Sequence, residues 1–464
     1  MAQTVPPPQP DQDTVAGSPT GQAISRERMA LLFIVMLVTA AGNTAMQSVM
    51  PSIGTALEID DVWISLAYTW SALLWVICAP FWARRSDKRG RKAMMALGML
   101  GFIVSMGLCG LVLWFGLTGL LTAIWTLFLF AVARSLYGLF GSAAPPAVQA
   151  YVASRTPRSQ RTQALSLVAS SFGLGTVLGP ALAPLMVIPG LGLTGPFVAF
   201  TVVGIAALIM LRLRLPNDEP QFAAKGRTFD APFSAGSNSN HSDDEGEDDS
   251  DEGASSQAAP APVAEQARLR YFEPRLRPWV IAALAGGHAQ AMLMGIVGFL
   301  VLDRMGLRET PMEGTGPVGI VLMCGAIATL LAQWGIIPKL NLGPRAASLS
   351  GITIAAIGTL VFAFAQELHS IALGYSIASL GFGLFRPGTT AGTSLAVTRA
   401  EQGQASGIVA SVAGAAFIFA PALGVLLYNL NERVAFSCII VLCIAVFAYG
   451  MRALELDENL TTDR

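Results

Sequence analysis

An all-α membrane protein, with twelve transmembrane helices in two pseudo-symmetric six-helix bundles, is predicted by three observations. They are the apolar composition, a repeat written once in each half, and an alternation of basic and acidic loops. Of 464 residues, 53% are hydrophobic and only 13% charged, outside the range of ordinary soluble domains. Gln163–Pro184 reads QALSLVASSFGLGTVLGPALAP, and Gln404–Val425 reads QASGIVASVAGAAFIFAPALGV. Aligned without a gap, they agree at Gln, Ala, Val-Ala-Ser, Gly and Pro-Ala-Leu. Gly138-Leu139-Phe140 returns in the same way as Gly383-Leu384-Phe385. One copy per half, in apolar helical sequence, is the pattern of a transporter built from two related bundles.

Taken in order, residues 1–28 form a tail that is Pro/Gln/Asp/Thr-rich to about Gln22, without the charged-then-apolar pattern of a signal peptide. It is expected to be disordered and cytoplasmic, and the first apolar run, from Met29, to be an uncleaved span. A span needs about 20 residues. In the first bundle (29–215) spans fall near Ala30–Pro51, Val62–Trp82, Ala93–Phe115, Leu120–Ala143, Ala164–Ile188 and Pro196–Leu213. In the second (276–453) they fall near Trp279–Leu302, Pro317–Ile337, Ala347–Ala365, Ile371–Ala391, Gly407–Leu427 and Val434–Met451, before a tail of 454–464.

The loops after the second and fourth spans are basic (Arg84, Arg85, Lys88, Arg89, Arg91, Lys92; Arg155, Arg158, Arg161), whereas the first carries Glu58, Asp60 and Asp61. The positive-inside bias places both termini in the cytoplasm of a multi-pass plasma- or inner-membrane protein. Lys339, Arg345 and Arg399 agree. Residues 216–275 are polar, with eight acids between Asp243 and Glu252. That composition cannot bury enough apolar surface to fold and reads as a disordered cytoplasmic linker.

All five cysteines lie in apolar stretches and are expected to be free thiols. The three histidines lack metal-ligand spacing. No nucleophile–base pair, phosphate loop or metal cluster appears, so neither an enzyme nor a cofactor is expected, and no nucleic-acid partner. The expected partners are a small-molecule substrate, protons and membrane lipid, around a monomer.

Ala83–Lys92 reads A-R-R-S-D-K-R-G-R-K at the cytoplasmic end of the second span. Asp87 there can face the positive N-terminal end of another helix, near Glu401–Gly407, while Gly90 permits a tight turn and the cations hold the phosphate surface. Such a contact is a cytoplasmic latch. The stretch resembles the loop signature of the major facilitator superfamily, G-x-x-x-D-[RK]-x-G-[RK]-[RK], at Asp87, Lys88, Gly90, Arg91 and Lys92, and departs from it at Ala83.

Arg134 lies near the midplane of the fourth span. A charge there costs several kcal/mol unless paired or wetted, so it should face a central cavity or bind backbone carbonyls between helices. Arg134 and Gly138 resemble the superfamily's R-x-x-x-G motif, associated with proton-coupled members. Gly175, Gly179 and Pro180 form a small-xxx-small face ending in Pro. They are similar to the fifth-helix antiporter motif G-x-x-x-G-P-x-x-G-G of drug:proton exporters, although Ala183 and Pro184 replace its last glycines.

Asn43, Gln47, His288 and Gln290 are polar residues of the first and seventh spans, able to hydrogen-bond a substrate or one another's helices. Asn43 and His288 correspond when the offset between halves is kept, and His288 could titrate near neutrality. Arg386, in the tenth span, either binds an anionic substrate or snorkels to headgroups. No Asp or Glu lies deep in a span, which leaves His288, Asp87 or the substrate itself to carry a proton.

The resemblance implies alternating access between two bundles and tilts towards proton-linked efflux of an amphipathic compound. Uptake of an organic anion by symport or uniport is the alternative, and a non-transporting sensor or scaffold acting through the acidic linker is the second.

Overall fold

The computed structural model describes residues 24–155, 158–216, 269–270, 272–397 and 402–457. The expected N-terminal tail, nearly all of the acidic linker and the end of the C-terminal tail lie outside the described residues.

The first half folds as α1 (Arg26–Ala56), α2 (Asp61–Arg89), α3 (Arg91–Leu117), α4 (Ala123–Phe140), α5 (Ala144–Arg155), α6 (Arg158–Leu182) and α7 (Gly195–Arg214). The second folds as α8 (Arg277–Arg304), α9 (Pro311–Leu330), α10 (Ile337–Leu340), α11 (Pro344–Phe364), α12 (Leu368–Leu395), α13 (Gln402–Leu430) and α14 (Glu432–Ala453). A short 3₁₀ turn over Gly141–Ala143 joins α4 to α5 ahead of Pro145 and Pro146, and a π-helical stretch, Leu331–Ile336, joins α9 to α10. Each of those pairs is therefore one bent span. Eleven helical segments among the described residues are long and apolar enough to cross a membrane. α6, with 25 residues, falls where the fifth span was expected.

Several helices outrun the apolar runs that announced them. The second span was expected to end at Trp82, but α2 continues through the basic cluster to Arg89; the fourth was expected to end at Ala143, but helix resumes to Arg155. Hydropathy marks where a helix leaves hydrocarbon, not where its backbone hydrogen bonds stop. Gly90 alone separates α2 from α3, at φ 89°, a left-handed turn that disfavours any side chain.

The start of α1 and the end of α7 mark one end of the bundle, called here the proximal end, where Arg214 of α7 reaches Glu27 of α1. There the two halves repeat one device. Lys92 Nζ, in the first turn of α3, donates to the Arg212 carbonyl of α7 at 3.0 Å. Arg345 Nη2, in the first turn of α11, donates to the Met451 carbonyl of α14 at 2.8 Å. A cation thus caps the last turn of the sixth span in each half.

The repeated helices α6 and α13 hold the seam between the halves. Gly173 of α6 faces Leu330 of α9, and the aligned Gly414 of α13 faces Val76 of α2. On their other sides they pack within their own halves. Gly175 and Gly179 lie against the α1 backbone at Leu37, Ala41 and Ala45, and Thr44 Oγ1 donates to the Gly175 carbonyl at 3.2 Å. In the second half both helices contribute: Gly287 and Gly295 of α8 lie against Ala416 and Pro421 of α13, and Gly424 of α13 lies against the α8 backbone at Met292. Close helix approach without a side chain between is the packing that membranes favour.

The tightest pair, α11 with α12, uses glycines seven residues apart: Gly351 and Gly358 on one, Gly374, Gly381 and Gly388 on the other. A seven-residue period keeps one face in contact over many turns at a shallow crossing angle.

Candidate functional site

Between the halves, in their distal portion, lies a cavity of about 80 Å³ formed by α1, α2, α8, α9 and α13. Its first-half wall carries Gln47, Ser65 and Tyr68; its second-half wall carries Met294, Phe299, Leu322 and Phe417. Pro51 and Gly298 meet across it. Ligand sites hold ~300–1,000 Å³, so the cavity must widen to admit a drug-sized molecule.

Arg134 sits behind that first-half wall. It is 2% exposed. Its Nη2 donates to Asn43 Oδ1 of α1, its guanidinium lies 4.5 Å from the Tyr137 ring centre and 5.9 Å from that of Tyr68, and its Nε has no hydrogen-bond partner among the described residues. Aromatic faces and one amide therefore carry a charge that hydrocarbon would reject. Ser71 Oγ donates to the Arg134 carbonyl at 3.3 Å and ties α2 to α4. Arg134 is not among the residues lining this cavity, and Tyr68, which lines it, is one of the two rings the guanidinium lies over.

A second cluster closes the distal end. Arg308, in the turn after α8, makes a paired contact with Asp61 at the start of α2, at 2.8 and 2.9 Å. It also reaches Asp303 at 2.7 and 3.2 Å, and Thr55 Oγ1 at 3.4 Å. Tyr428 of α13 donates to Asp303 at 2.7 Å. Burial alone would lower the Arg308 pKa, but hydrogen bonds and charge from Asp61 and Asp303 outweigh it, and the pKa is raised. The pair joins first half to second, and the Asp61 side chain is 8% exposed. Arg308 also lies 5.6 Å from the centre of the Phe299 ring, the same ring that lines the cavity.

Of the residues singled out in the sequence, Gln47 lines the cavity and Asn43 pairs with Arg134. His288 is half-buried on α8, its Nδ1 2.7 Å from the Leu284 carbonyl of its own helix. Gln290 and Arg386 are half-buried and are not among the cavity's lining residues. Arg91 is buried and Lys92 caps α7. The side chains of Asp87 and Lys88, and the Glu401–Gly407 stretch expected to face them, lie largely outside the described residues, and so does the expected latch. Gly175, Gly179 and Pro180 pack α6: the glycines against α1, the Pro180 carbonyl against Gly319 of α9. Sequence reasoning missed the distal cluster, although an acid opening the second span and an arginine five residues after Asp303 were visible.

Removing the Arg308 side chain is expected to favour distal opening by about tenfold, since a partly exposed charge pair of this kind contributes roughly 1–2 kcal/mol. With Arg308→Ala, a cysteine placed at Gln47 should react faster with an impermeant maleimide added from the distal side. An unchanged rate would remove the cluster's role as a barrier.

A sequence model described as Major Facilitator Superfamily matches residues 32–342. The chain is 26% identical over 194 residues to the staphyloferrin B transporter of Staphylococcus aureus, covering 41% of this chain and 40% of that protein. It is 27% identical over 183 residues to multidrug resistance protein 2 of Bacillus subtilis, covering 38% and 42%. The matched segments thus span about two fifths of these relatives. Among solved structures, a bacterial homologue of the human lysosomal transporter Spinster, inward-facing and occupied, superposes with a TM-score of 0.63 at 12% identity, over 92% of this chain and 96% of that one. The human organic anion transporter MFSD10 gives 0.58 at 16% identity, over 92% and 100%.

Proposed function

The chain belongs to the Major Facilitator Superfamily and is a multi-pass membrane transporter, not an enzyme; from that premise we propose that it exports a small amphipathic compound in exchange for protons. The observation that carries this reading is the seam cavity lying directly beneath an inter-bundle ion pair. A site buried between two bundles, shut at one end by contacts that must break for the other state to form, is what alternating access needs. The distal end is assigned to the outside, following the basic proximal loops.

Export is favoured over uptake by the likeness to multidrug resistance proteins and by the Gly175/Gly179/Pro180 face. The organic-anion alternative loses support from the cavity lining, where neither Arg134 nor Arg386 appears. We assign the exchanged proton to His288. It is half-buried on a seam helix, and engagement of Nδ1 with the Leu284 carbonyl leaves Nε2 for exchange.

A growth-inhibition screen on cells lacking and overproducing the chain identifies cargo for the decisive assay. Inverted vesicles under an imposed pH gradient, acid inside, should then accumulate that cargo; depletion would establish uptake instead. His288→Gln is expected to leave downhill flux within about twofold and to reduce gradient-driven accumulation to background. Full accumulation by that variant would move the proton to another group.

A further inference from the structure

The two cavity walls differ in kind, and that difference names a ligand chemistry. The polar lining groups all stand on the first-half wall, beside Met50, Pro51 and Ile64: Gln47 offers an amide, Ser65 a hydroxyl and Tyr68 a phenol. On the facing wall Met294, Phe299, Leu322 and Phe417 offer hydrocarbon, sulfur and ring faces. None of the lining residues is charged. Two arginines lie against lining rings: Arg134 against Tyr68, where it donates to Asn43, and Arg308 against Phe299, where two carboxylates neutralise it.

Resting on the transport reading above, we propose that the cavity binds an uncharged amphipathic molecule in one orientation, its hydrogen-bonding end on Gln47, Ser65 and Tyr68 and its aromatic or aliphatic body on Phe299 and Phe417. An ion there meets no countercharge and keeps its desolvation cost. A cation is disfavoured further, since Arg134 has no carboxylate partner among the described residues and its field reaches the cavity through Tyr68. An anion falls between. A wholly apolar molecule would leave the Gln47 amide without a partner, a loss that polar sites use to reject analogues.

A series on one ring system tests this, its three polar members sharing one chain length. Full-length protein in lipid nanodiscs is titrated calorimetrically at neutral pH with 2-(1-naphthyl)ethanol, 1-naphthylacetate, 2-(1-naphthyl)ethylammonium and naphthalene. The alcohol is expected to bind at least tenfold more tightly than the ammonium, with the acetate between them. Gln47→Leu should weaken the alcohol about tenfold and leave naphthalene within twofold, and Tyr68→Phe should repeat the trend should Gln47→Leu fold poorly. Tightest binding of either ion, equal loss for alcohol and naphthalene on Gln47→Leu, or no binding of any probe overturns the proposal. Binding is read apart from flux: a chain that binds the alcohol with this selectivity but fails the vesicle assay defeats the transport reading and leaves the ligand inference intact.

Discussion

An Arg134→Met variant is expected to fold, to melt within a few degrees of the parent in detergent, and to lose at least 99% of transport. The stability half follows from the environment. A guanidinium held by one amide and two ring faces, with Nε unpartnered among the described residues, recovers little of its desolvation cost, so an apolar side chain of similar length is nearly neutral. The functional half follows from position. Arg134 fixes Asn43 on α1 and the rings of Tyr68 and Tyr137 on α2 and α4, and Tyr68 is a wall of the cavity. Without the charge, Tyr68 loses the partner behind it and the field reaching the cavity vanishes. Arg134→Lys should retain a few per cent, since an ammonium restores charge but neither the planar stack nor the fork. A variant that unfolds outright would instead make Arg134 a structural tie between helices.

Gly381→Leu should cost about 3 kcal/mol or more and leave little folded protein after extraction. A side chain at that position would meet the Gly351 carbonyl at 2.6 Å and the Ala355 Cα at 2.7 Å. Both belong to the backbone of α11, which cannot swing aside as a side-chain tip can. Because the same face recurs seven residues away at Gly374 and Gly388, displacing α11 at one level opens the others. Size-exclusion chromatography and thermal unfolding in detergent check this. Gly316→Leu, at a position with nothing within 4 Å of an added Cβ, provides the control and should behave like the parent.

The architecture was legible because lipid imposes it. Long apolar runs become helices when no water can satisfy their backbones, and the copied segment identified α6 and α13 before their place on the seam was known. Arg134 and Asn43 were each conspicuous as polar groups in apolar sequence, but their partnership was not. Each residue turns a helix by ~100°, so which of several neighbours a side chain meets depends on helix rotations that tertiary packing sets. His288, Gln290 and Arg386 were conspicuous for the same reason and are not brought to the cavity. Tyr68 and Ser65 escaped notice because an aromatic or hydroxyl residue in a span is unremarkable until its neighbours are known.

The distal cluster was missed differently. Asp61 was read only as an acid of the first loop, and only the approach of the α8–α9 turn to the start of α2 makes it a partner of Arg308. The seven-residue glycine spacing of the ninth and tenth spans was written plainly in the sequence. It is a period that a search for chemistry passes over.

Phe299 gives the cavity and the distal barrier a common side chain: one edge of its environment is the space a cargo fills, the other the guanidinium that holds the door. Whatever occupies the chamber firmly enough to tilt that ring also alters the ground on which the bolt rests. On the transport proposed above, affinity and turnover are then not separable traits, and a substitution at Phe299 selected to widen the range of passengers is expected also to reset how readily the distal door swings.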